Sequence, residues 1–175
     1  MMIRNVRAAY RSALAHGIWN DWYANIGARV ESEARAAGIP LGISAGVLAV
    51  MSPRVQWEKL LKAWPTILGS LAAGTPIPAV GLRSNRTAAE LFYRTGEPSG
   101  LQWGPKVQAF YRAILGDPDA VVLDVWAIRV ATRGKDVPLT VGRRKRMTRA
   151  YRRVAEEHDV PARLVQSRTW ELIRS

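Results

Sequence analysis

A chain of 175 residues, 48% of them hydrophobic, is long enough to bury one core and short for two, so a single domain over residues 1–175 is expected. With no cysteine and two histidines, His16 and His158, it has no donors for a disulfide, a cysteine-ligated zinc or an iron–sulfur cluster, and neither metal nor cofactor is expected. The 26 Lys and Arg against 14 Asp and Glu give a net charge of +12 and a pI near 11.0, which favours a polyanionic partner, nucleic acid ahead of a membrane surface.

Apolar residues recur at three and four along nearly the whole chain, and Pro or Gly punctuates at helix-length intervals, so the expected class is all-α, a helical bundle. A first amphipathic helix is predicted over 3–15 and a second over 19–37, stopped by Gly38, Ile39 and Pro40. The third, 41–51, carries no charge and should be buried. Ser52-Pro53 reads as a cap followed by proline in the first turn of a helix that continues through 58–63. The run GSLAAGTPIPAVG at 69–81 reads as a packed connector. Ser84 or Asn85 caps a helix to about Arg94, the segment TGEPSGLQWG makes a tight connection, and another helix covers 105–115. After a GDPD turn and the apolar run Val121, Val122, Leu123, Asp124 is placed as the N-cap of a helix ending near Thr132. Thr140 opens a long basic helix to about His158, and Pro161 opens the last one. The apolar stretch at 39–51 falls short of the roughly 20 residues that span a bilayer, and an intracellular protein with no membrane role, nucleoid-associated or acting in a phage-infected cell, is expected.

The segment GPKVQAFYRAILGDPDAVVLDVWAIRVA, 104–131, is similar to the central motif of the helix-hairpin-helix DNA glycosylase superfamily, endonuclease III type. It has a Gly-x-Lys at the start of a helix, a turn, an apolar run and a helix-opening aspartate. The spacing of that family's nucleophilic lysine and its aspartate matches Lys106 and Asp124, and a following Arg-Val pair matches Arg129-Val130. Upstream, GVLAVMSPRVQWEKLLKAW resembles the family's buried helix, serine-containing loop and next helix. There are departures: Gln102 replaces the first hairpin glycine, leaving Gly104, and Trp126 replaces a common histidine. The pattern is that of divergent members found in phages and mobile elements, some related to enzymes that process modified thymines.

The resemblance implies a DNA glycosylase, with or without strand-cleaving lyase activity, acting as a monomer on a damaged or modified base. The alternatives are a base-hypermodification enzyme on the same scaffold and a non-catalytic DNA-binding module. Base excision passes through a cationic sugar, which a carboxylate such as Asp124 stabilises. A lysine amine such as Lys106 attacks the same carbon once desolvation or a nearby cation lowers its pKa from about 10.4. Read from the residues alone, without the resemblance, Asp124 is a plain helix cap and Lys106 a phosphate contact at a helix N-terminus. Extruding a base needs a wedge and a pocket. Arg54 and Gln56 are the wedge candidates, Arg54 being equally a phosphate contact, and Trp57 and Trp126 are candidate pocket walls, although seven tryptophans in a small domain also serve a core. Trp103 is placed to support the hairpin. Expected phosphate contacts are Gly104, Arg129 and the run Arg143, Arg144, Lys145, Arg146 that begins RRKRMTRAYRR, whose basic residues are spread around the helix.

Overall fold

A computed structural model describes residues 1–97 and 103–174. Among these the chain is all-helical, as its periodicity requires, with α1 (Met2–Ala15), α2 (Trp22–Ala36), α3 (Leu41–Met51), α4 (Trp57–Ala73), α5 (Arg83–Thr95), α6 (Pro105–Ile114), α7 (Val125–Thr132), α8 (Val141–His158) and α9 (Ala162–Arg174). No single helix among the described residues is long and apolar enough to cross a membrane. The chain divides into two units, Met1–Asn25 with Gly116–Ser175, and Ile26–Leu115.

In the first unit α1 packs on α7, α8 and α9. Val6, Tyr10 and Ala13, spaced three and four apart, give α1 one apolar face. That face meets Met147, Ala150, Tyr151 and Val154 of α8 and Val165 of α9 in a shared core. Each fully buried large side chain of this kind stabilises the fold by about 1.5–3 kcal/mol. Thr140 caps α8, its hydroxyl accepting from the Arg143 N–H at 3.3 Å. Asp159, in left-handed conformation at φ 51°, ends it. Asp21 rather than Trp19 starts α2, its carboxylate accepting from the Ala24 N–H at 3.0 Å.

The second unit is built around α3. Residues Ser44 to Met51 are all buried, as a helix without charge requires, and α5 and α6 pack against it. A Cβ on Gly46 would collide with the Phe92 ring, so α5 lies against α3 only because position 46 has no side chain. At Gly27 of α2 a Cβ would come within 2.7 Å of the Ile114 carbonyl oxygen of α6.

Three expectations in this unit need correction. Ser52-Pro53 does not open a helix: Ser52 Oγ donates to the Ala49 carbonyl at 2.9 Å, Arg54 turns the chain at φ 58°, and α4 begins only after Gln56. That helix runs on through Gly69 to Ala73, so the connector shrinks to 74–81, opened by left-handed Gly74 and packed through buried Ile77. Leu82, not Ser84 or Asn85, occupies the N-cap of α5. The Asn85 side chain is instead buried and donates to the Pro53 carbonyl at 2.9 Å. Pro65 lies inside α4, where it cannot donate to the Leu61 carbonyl four residues back. The Arg29 guanidinium of α2 donates to that carbonyl at 2.8 Å.

Candidate functional site

Asp124 is the N-cap of α7. Its Oδ1 accepts from the Ala127 N–H at 2.8 Å, and the residue is half-buried. Beside it lies a buried polar layer from three other segments. The Tyr23 hydroxyl donates to Gln166 Oε1 at 2.7 Å, and the Tyr151 hydroxyl donates to the Ala127 carbonyl at 2.8 Å. Burial pushes both phenols above their ordinary pKa, and the negative charge of Asp124 pushes them further. Both tyrosines therefore remain neutral hydrogen-bond donors next to a carboxylate. Gln166 is fully buried and its Nε2 has no partner among the described residues.

Lys106 belongs to the second unit and Asp124 to the first. Lys106 is exposed as the second residue of α6, after Gly104 as N-cap and Pro105 as first residue. With no side-chain cap on that helix, its first-turn N–H groups stay open to an anion. Trp103 supports the approach to α6: it stacks on Phe92 at 5.3 Å, lies 5.3 Å from Tyr111, and its carbonyl accepts from Gln108 Nε2 at 2.8 Å. Gln102 lies outside the described residues.

Arg54 stands exposed at the tip of the turn between α3 and α4, a turn fixed at Pro53 by Asn85. Its φ of 58° is unusual for a residue with a side chain and carries strain of about 1–2 kcal/mol. Gln56 is exposed at the N-cap of α4 without capping it. Trp57 is half-buried, edge-on to Phe110 at 5.8 Å.

In the first unit, packing sorts the basic residues of α8. Arg143 and Arg144 are half-buried on its flanks. Arg143 donates to the Pro138 carbonyl at 2.9 Å, and Arg144 Nε is buried without a partner among the described residues. Lys145, Arg146, Arg149, Arg152 and Arg153 recur at three and four on the face away from Met147, Ala150 and Val154. The sequence spreads its charges around the helix, but the burial of these apolar residues leaves one cationic stripe. Among the described residues Arg152 donates only to the Asp119 carbonyl, at 3.0 and 3.1 Å, and Arg153 pairs with Glu156 and Glu157 at 3.2 and 3.4 Å. Lys145, Arg146 and Arg149 are exposed. They have no hydrogen bond or ion pair among the described residues.

Arg129 is engaged with protein. It pairs with both oxygens of Asp136 at 2.8 and 3.0 Å and lies 5.1 Å over the Trp126 ring. The pairing lowers the pKa of Asp136 and raises that of Arg129. Such an exposed pair contributes little to stability. Trp126 and Arg129 line a cavity of about 370 Å³ of which Asp124 is not a wall. Tyr23, Tyr151 and Gln166 gave no local sequence signal, since the fold alone brings them to Asp124. Arg149 had one, its spacing of four from Lys145.

The model of the family of unknown function DUF7178 matches residues 1–175. The chain belongs to that family. No curated protein and no solved structure matches this DUF7178 chain.

Proposed function

We propose that this protein binds duplex DNA and removes a damaged or modified base, with Asp124 stabilising the cationic sugar and Lys106 attacking it. The observation that carries the reading is the stripe on α8, where Lys145, Arg146 and Arg149 present charge that no carboxylate among the described residues neutralises. A stripe of this kind tracks a phosphate backbone without reading sequence. The open N-terminus of α6 at Gly104 supplies a second phosphate contact, and strained, exposed Arg54 is the wedge. In the chemical step the Lys106 amine bonds to C1′ as the bond from C1′ to the base breaks, the base leaving with the electron pair and taking up a proton. The C1′–O4′ bond then breaks, O4′ taking up a proton as the amine nitrogen sheds one, and a Schiff base is left on the lysine. Asp124 forms no bond in this step and acts by charge.

Borohydride reduction traps that Schiff base. Wild type, Lys106→Ala and Asp124→Asn are compared on duplexes carrying an abasic site or a panel of damaged and modified bases. A covalent adduct that disappears in Lys106→Ala supports the reading, and base release without an adduct moves the attack to water. Neither adduct nor release on any substrate refutes excision. A second reading, a non-catalytic DNA-binding module, is favoured by one observation: Asp124 already serves α7 as its cap. Salt-dependent binding without chemistry is its signature.

A further inference from the structure

We propose that the cavity lined by α1 and α7 binds a small, flat ligand with an N–H donor on its ring and one anionic group, as a nucleoside monophosphate offers. The proposal does not rest on excision chemistry, since Asp124 does not line this cavity. Its volume of about 370 Å³ lies in the range of small-molecule sites, about 300–1,000 Å³. Ala8 and Ala9 leave room on the α1 side, and Trp126 and Val130 supply apolar wall from α7.

Three polar groups on the lining define the ligand. Asn5 is 5% exposed. Its Nδ2 donates to the Ala131 carbonyl at 2.9 Å, which fixes the amide orientation, and its Oδ1 is a buried acceptor with no donor among the described residues. A buried acceptor left without a donor is unfavourable, and a ligand N–H is the group that answers it. The Arg129 guanidinium covers the Trp126 ring but is neutralised by Asp136. Arg133 therefore carries the free charge: it is exposed, has no partner among the described residues, and is held at φ 57°. Among the described residues no Asp or Glu lines the cavity, so none of them repels an anion from its wall. A flat ring against Trp126, an N–H toward Asn5 and a phosphate on Arg133 use each feature once.

Calorimetric titration of the full chain with the nucleoside monophosphates, the matching nucleosides and inorganic phosphate tests this. At least one monophosphate is expected to bind, about tenfold tighter than its nucleoside and far tighter than phosphate, one tenfold step being 1.4 kcal/mol. Arg133→Gln should abolish that tenfold difference between monophosphate and nucleoside. Ala8→Trp, on an exposed position, should abolish both, and Ile173→Trp serves if the first variant fails to fold by circular dichroism. Duplex binding through α8 should be unchanged in all three variants, which separates this site from the excision reading. No heat with any monophosphate up to about 5 mM, or equal binding in a folded cavity-filling variant, overturns the proposal.

Discussion

Replacing Lys145, Arg146 and Arg149 together by glutamine removes three positive charges from the exposed face of α8 and leaves Met147, Ala150 and Val154 in the core. Glutamine is nearly as good a helix former as lysine or arginine, so the variant should keep its circular dichroism spectrum. From Lys145 to Arg149 the helix rises about 6 Å, enough for neighbouring phosphates of one strand to meet successive side chains. Each phosphate neutralised contributes about −0.9 to the slope of log K against log salt on duplex DNA. Three lost contacts therefore make the variant's slope shallower by about 2.7, so that between 50 and 200 mM salt the wild type loses about 40-fold more affinity than the variant. Fluorescence anisotropy of a labelled duplex of about 20 base pairs across that range reads the difference. Parallel slopes in a folded variant would refute the assignment of the stripe, as would a wild type that does not bind.

Asp124→Ala should destabilise the fold by about 0.5–2 kcal/mol through loss of the α7 cap, whereas Asp124→Asn keeps an acceptor and loses less. Urea unfolding distinguishes them, and coincident midpoints would show that the cap contributes nothing. Gly46→Ala forces a methyl into the Phe92 ring and should cost about 1–3 kcal/mol by thermal unfolding; unchanged stability would mean that α5 shifts freely. Tyr23 and Tyr151 have folded pKa values raised above the unfolded value by burial and then by Asp124. Their contribution to stability is thus fully present below pH about 10 and is lost as pH rises through the folded values. Absorbance at 295 nm should show fewer than the full five tyrosines titrating before the protein unfolds in alkali. Titration of all five in the folded state would contradict the burial.

What the sequence discloses is local. Asp124 and Thr140 are legible as caps because a short polar side chain ahead of an apolar period satisfies orphan N–H groups with atoms of its own neighbourhood. The absence of charge along 41–51 is legible as burial because a charged side chain in the core is costly. The misread starts at Ser52 and Asn85 carry the same capping chemistry, but their hydrogen bonds go elsewhere, to Ala49 and to Pro53, and competition among acceptors is settled only by packing. The site divides similarly. Lys106, Asp124 and the basic run stand in a recognisable order, but the separation of Arg143 and Arg144 from the exposed stripe depends on which face of α8 meets α1 and α9. Arg133 and Asn5 have no motif at all, because left-handed backbone and an unanswered amide oxygen are properties of the folded chain.

The Arg29 side chain splices α4 across Pro65. Its Nη2 donates to the Leu61 carbonyl at 2.8 Å while its Nε donates to Glu33 at 2.8 Å. Without it the Leu61 carbonyl is unanswered at the one rung that Pro65 removes, a loss of about 1–3 kcal/mol where the group is shielded from water. The middle of α4 is therefore coupled to α2: local opening of α2 withdraws the donor, and amide exchange around Pro65 should rise with it although each helix has its own hydrogen-bond ladder.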